Sequence, residues 1–260
     1  MMNDATPGPL TSAVPPPPPP LPDAAPRSIA PWAHTLALFV VLASTTIYGH
    51  YRAAAAPSDD SHIARYLSTA VLEWLLLGAV IAGIYKRREF LLSAFSNRAT
   101  PWGQALGSGV MVYMIGLFAI ATVGIALSAT PLLHEHNLAY ILAMLPHSPL
   151  EFLVWFGVSL SAGICEELIF RGYLLQQLTA WTRSPIASIL LAALLFGAVH
   201  LYEGLGAILP LAALAVVYGF AVRHFKGDLR AVIVAHTLQD FLVGFLALAK
   251  PFLEGHAPRA

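Results

Sequence analysis

Residues 162–174 read AGICEELIFRGYL. Two adjacent acids, Glu166 and Glu167, stand in an apolar run, with Arg171 four residues after the second. The chain around them has 260 residues, 57% of them hydrophobic and 11% charged, where a soluble domain carries about 25% charged residues. Its mean hydropathy of +0.69 points the same way. An ionised side chain deep in a bilayer costs at least about 2.5–3.5 kcal/mol, so it faces a protein interior or a water-filled cavity, usually beside a partner. The stretch therefore belongs to a buried helix of a membrane protein.

Working outward from it, apolar runs near 20 residues recur, long enough to cross a hydrocarbon core of roughly 30 Å. They predict about seven spans, with six to eight possible, at 32–50, 67–85, 104–130, 150–178, 185–201, 206–223 and 230–249. Lipid permits only helices or closed barrels, and no barrel-type alternation is visible. The expected fold is all-α, a polytopic transmembrane helix bundle. Residues 1–31 include VPPPPPPLP, which favours extended polyproline II over packing, and they read as a disordered proline-rich tail. Residues 32–100 read as accessory transmembrane helices with a basic loop, 101–250 as the bundle that holds the chemistry, and 251–260 as a C-terminal tail.

With the N-terminus inside, nine Lys and Arg fall on inner segments, among them Lys86, Arg87, Arg88 and Arg98, and four on outer ones. That excess places the N-terminus on the cytoplasmic side. A net charge of zero gives no footprint for nucleic acid. The single cysteine, Cys165, excludes an internal disulfide and a Cys-rich metal cluster.

Three polar constellations lie in the later spans. Glu167 and Arg171 are four residues apart, so they share a helix face and can pair, while Glu166 points about 100° away toward another neighbour. Two adjacent carboxylates with one cation suit one structural acid and one working base. FGAVH, Phe196 to His200, sets an aromatic ring one turn from an imidazole. HTLQD, His236 to Asp240, sets an imidazole one turn from a carboxylate that could orient its tautomer. Each alone also reads as a structural clamp between helices. Short connections between these spans favour neighbouring antiparallel helices, which can gather the groups in one cavity able to activate water. Counted from the inner helix ends at about 1.5 Å per residue, Glu166, His200 and His236 lie roughly 18, 22 and 9 Å deep, so their depths do not align on ideal helices.

The order E-E-x-x-x-R, F-x-x-x-H and H-x-x-x-[N/D] resembles the family of CAAX proteases and bacteriocin-processing enzymes (CPBP, or Abi). The resemblance covers residues about 105–249. It implies an α-helical intramembrane endopeptidase acting on a membrane-associated or lipidated peptide or protein, in a bacterial inner membrane. Carried across by motif, Glu166 is the general base that deprotonates water and His200 helps to hold that water. His236 and Asp240 line the oxyanion side, with Glu167, Arg171 and Phe196 in support. The best-described members carry Asn where this chain has Asp240, and an ionised Asp accepts hydrogen bonds but donates none.

The resemblance leaves metal open. Zinc takes about three N or O ligands and an open position, which Glu166, His200 and His236 could supply. The H-E-x-x-H pair is absent, and a metal-free mechanism on the same residues is favoured, so no cofactor is favoured and zinc stays the alternative. A non-enzymatic immunity or scaffold protein, or a proton-coupled transporter, would explain the same acids without hydrolysis. Glu73, an acid within the second span, is given no catalytic role. Cys165 reads as a packing residue, and His134, His136 and His147 as a solvated outer loop that could bind a metal loosely.

Overall fold

The computed structural model describes residues 27–54, 62–85, 101–130 and 138–253. The expected tail up to residue 26, the basic loop at 86–100, His134 and His136, and residues 254–260 lie outside the described residues. Helices α1 (Trp32–Ala54), α2 (His62–Gly83) and α3 (Trp102–Leu127) come first, then the short α4 (Leu138–Met144). Helix α5 (Pro149–Glu167) runs without a break through a π-helical segment (Leu168–Leu174) into α6 (Leu175–Thr182). Helices α7 (Pro185–Val199), α8 (Leu205–His224) and α9 (Arg230–Leu253) complete the chain, with a 3₁₀ turn (Leu201–Glu203) between α7 and α8. No strand occurs among the described residues.

Local chemistry sets the helix starts. Ser148 and Ser184 each accept a hydrogen bond from the backbone N–H three residues on, and each precedes a proline at the first helical position of α5 and α7. Gly204, at φ 103° and ψ 161°, makes the corner before α8 in a conformation that a side chain disfavours.

Among the described residues, six helical runs are long and apolar enough to cross a membrane. The expected span at 185–201 is the exception. Helix α7 has only 15 residues and breaks at His200, whose φ −90° and ψ 16° leave the helical range, into a 3₁₀ turn that Gly204 ends. The expected span 150–178 is the 34-residue run Pro149–Thr182, and the span expected from 67 begins at His62.

Helix α9 packs against α3 and α5, α8 against α3 and α7, and α2 against α5, so α5 and the π segment occupy the middle of the bundle. Close approach rests on small residues, as is usual where lipid is as apolar as the interface. A Cβ on Gly163 would meet Thr237 and the Ile233 carbonyl of α9, and one on Gly197 would meet the Ile208 carbonyl of α8. Large apolar side chains such as Leu75, Met111, Phe118 and Ile125 point outward, where lipid replaces water. At one end of the bundle the side-chain amide of Gln177 donates to the Ala30 carbonyl at 2.9 Å, and its oxygen accepts from the Ile29 N–H at 3.0 Å, tying the entry of α1 to α6.

Gly197→Ala should push α7 from α8 and lower stability by about 1–3 kcal/mol, as overpacking does. Gly103→Ala, where a Cβ meets nothing within 4 Å, should leave the thermal midpoint of the detergent-solubilised protein unchanged.

Candidate active site

The C-terminal end of α5 delivers Glu166 and Glu167 to different neighbours, as adjacency on a helix requires. Glu167 is fully buried, and its Oε1 accepts from Arg171 Nη1 at 2.9 Å. The expected four-residue ion pair is present, spanning the first turn of the π segment. The same Oε1 meets His236 Nδ1 at 2.8 Å, across from α9. A carboxylate accepts, so Nδ1 carries the proton and donates, leaving Nε2 toward the remaining acids. His236 Nε2 lies 3.9 Å from Glu166 Oε2 and 3.6 Å from Asp240 Oδ2. The near partner of His236 is therefore Glu167. Asp240, expected to orient it, stands beyond hydrogen-bond distance, and its backbone carbonyl accepts from Trp155 Nε1 at 2.9 Å.

Phe196 ties the groups together. Its ring lies 4.8 Å from the His200 ring and 5.9 Å from the His236 ring, centroid to centroid. The Arg171 guanidinium sits 4.5 Å over the Phe196 ring and 5.2 Å over that of Tyr218, a desolvated cation held between π faces. His200 caps the end of α7, and its Nδ1 meets the Phe196 carbonyl at 2.8 Å. A carbonyl only accepts, so Nδ1 donates and Nε2 is the ring nitrogen left for another partner.

These side chains converge on one cavity of about 250 Å³, lined by Glu166, His200, His236 and Asp240. The structure thus brings together the four residues expected at the site. Phe196 forms part of the wall, while Glu167 and Arg171 stand behind it. The depth offset expected on ideal helices does not keep the groups apart. One oxygen of Glu166, Oε2, is buried and has no hydrogen-bond partner among the described residues.

The cavity holds more than the motifs indicate. Glu73 of α2 lines it, with Oε2 accepting from Ser161 Oγ of α5 at 2.9 Å. Its position inside a span was the available signal. Tyr202, Glu203 and Gln239 also line it, and nothing in their sequence context marks them.

A metal at the expected ligands fits poorly. A zinc ion bound at about 2.0–2.2 Å draws tetrahedral ligand atoms to about 3.4 Å from one another. Glu166, His200 and His236 do not form a group whose ligand atoms lie within 4.8 Å of each other. Among the described residues the one such group is His62, His147 and Glu151.

Residues 148–242 match the family model described as type II CAAX prenyl endopeptidase Rce1-like. That segment contains all three motifs, and the match agrees with the resemblance drawn from them. Comparisons with curated proteins and with solved structures returned no match.

Arg171→Met removes the cation beside a fully buried carboxylate. The expected loss is about 3–5 kcal/mol of stability, the usual effect of stripping one partner from a buried pair. Glu167→Leu combined with Arg171→Met should recover part of it. Unfolding midpoints of the single and double variants in detergent measure the difference.

Proposed function

We propose that the chain is an intramembrane endopeptidase that uses water to cleave a peptide bond in a membrane-associated or lipidated peptide. The family match supports the reaction class. The observation that carries the mechanism is the placement of Glu166, a partly open acid with no hydrogen-bond partner for its Oε2 among the described residues, in the lining of a cavity shared with two imidazoles. Oε2 lies 3.9 Å from His236 Nε2, too distant for a direct hydrogen bond. The cavity has room for several waters at about 30 Å³ each.

In this reading Glu166 takes a proton as the water oxygen attacks the scissile carbonyl carbon. His200 Nε2, fixed because Nδ1 is held by Phe196, accepts the second water hydrogen and orients the lone pair. The C–N bond then breaks, and Glu166 returns its proton to the leaving nitrogen, giving an acid and an amine. His236 faces the developing oxyanion through Nε2 and donates to it when the ring carries both protons. Glu167 holds the other nitrogen through that step. An ionised Asp240 can only accept, so its part is to balance from 3.6 Å the charge of a doubly protonated His236 that Glu167 orients.

No step is routed through a metal, because Glu166, His200 and His236 are too far apart as a set to ligate one together. Walls that include Trp155, Val158, Leu211 and Leu214 give an apolar peptide or a lipid chain a surface to enter along. The N-terminus lies on the cytoplasmic face in this proposal, supported by the excess of Lys and Arg on that side.

The test is cleavage in nanodiscs of peptides ending in a prenylated Cys followed by two aliphatic residues and a terminal residue. Glu166→Gln and His200→Ala should each lose about 10²–10⁴-fold in rate while keeping the wild-type unfolding midpoint. Glu166→Gln should also accumulate uncleaved peptides in cell membranes. A membrane peptide profile identical to that of wild type would refute proteolysis. Loss of activity to a chelator, restored by zinc, would refute the metal-free route.

A further inference from the structure

We propose that His62, His147 and Glu151 form a zinc-class divalent-metal site that clamps the N-terminal ends of α2 and α5 together. It is separate from the proposed hydrolytic cluster and does not depend on the chain being a protease.

His62 is the first residue of α2, and Glu151 lies in the first turn of α5, with His147 just before the Ser148 cap. One ligand atom from each falls within 4.8 Å of the others. His62 Nδ1 is 3.5 Å from Glu151 Oε2, already the spacing of two ligands on one tetrahedral ion, and the two imidazole rings are 5.0 Å apart. His147 is exposed, so its ring can rotate through the remaining distance without moving the backbone. Two imidazoles and a carboxylate, with a position left for water, are a donor set that suits Zn²⁺.

Two details favour a metal over a simple cap. Glu151 already serves the start of α5, since its Oε2 accepts from the His147 N–H at 2.8 Å. That bond fixes the carboxylate and uses one oxygen, as an outer-shell contact orients a metal ligand. His62 Nδ1, by contrast, is buried and has no hydrogen-bond partner among the described residues, although it faces that carboxylate. An ion pair would need one histidine; two rings crowd this acid. The partial positive charge at two helix N-termini opposes a cation, and the Glu151 charge offsets it.

The placement gives the site a consequence. One turn below His62, Tyr66 donates to the Met144 carbonyl at 2.6 Å and stacks edge-on against Trp155, 5.3 Å away. Tyr66, Met144 and Trp155 all line the cavity. A metal joining His62 to Glu151 would hold α2 on α5 directly above them.

The experiment titrates the full chain, purified with a tag that contains no histidine, with Co²⁺ and Zn²⁺. Wild type should bind one equivalent, with the visible absorption of four-coordinate Co²⁺, and Zn²⁺ should raise its unfolding midpoint by several degrees. His62→Ala/His147→Ala should abolish both effects, and His147→Asn, which alters only an exposed ring, should weaken binding at least tenfold. Glu166→Gln should bind as wild type does. Absence of saturable binding in wild type, equal binding by the His147→Asn protein, or loss in Glu166→Gln instead would overturn the site. The readout needs no substrate, so a failed cleavage assay leaves it standing, and the reverse holds too.

Discussion

The bundle depends on one carboxylate oxygen. Oε1 of Glu167 accepts from Arg171 at 2.9 Å and from His236 at 2.8 Å. Those two bonds join the end of α5, the π segment and α9 at a point with no access to water. Such a buried charge is tolerable only when its partners are fixed. Here they are, because Arg171 is sandwiched between the Phe196 and Tyr218 rings. The same aromatic residue then touches both imidazoles. The ion pair is thus a scaffold, and it holds His236 in one tautomer.

Glu166, its neighbour, is left with the opposite environment. It is partly open, faces the cavity and keeps one buried oxygen unsatisfied. Adjacent residues of one type do two jobs because a helix sends them in different directions. A wider turn follows immediately. π segments inside helices are frequent at functional sites, and this one carries Arg171, the partner of Glu167, while α6 continues toward its contact with the start of α1.

What could be read from the sequence was what repeats over one helical turn. Glu167 with Arg171, Phe196 with His200, and His236 with Asp240 are each four residues apart, and composition alone places them under lipid. The bond between Glu167 and His236 could not be read, since 69 positions separate them and either acid was eligible. The π segment was hidden as well, because LIFRGYL has ordinary helix formers and no break. Apolar length overstated the span at 185–201: Leu201 and Tyr202 follow His200, but the backbone has already turned there. Glu73 was visible as a misplaced acid, but its partner Ser161 lies 88 residues along the chain and carries no charge to betray it.

That short α7 has a consequence for the surrounding lipid. Fifteen residues reach about 22 Å, against a hydrocarbon thickness of about 30 Å. The shortfall is hydrophobic mismatch, and a bilayer meets it by thinning beside the protein. Thinning at the C-terminal end of α7 would draw headgroups and bulk solvent toward His200, the ring that lines the cavity.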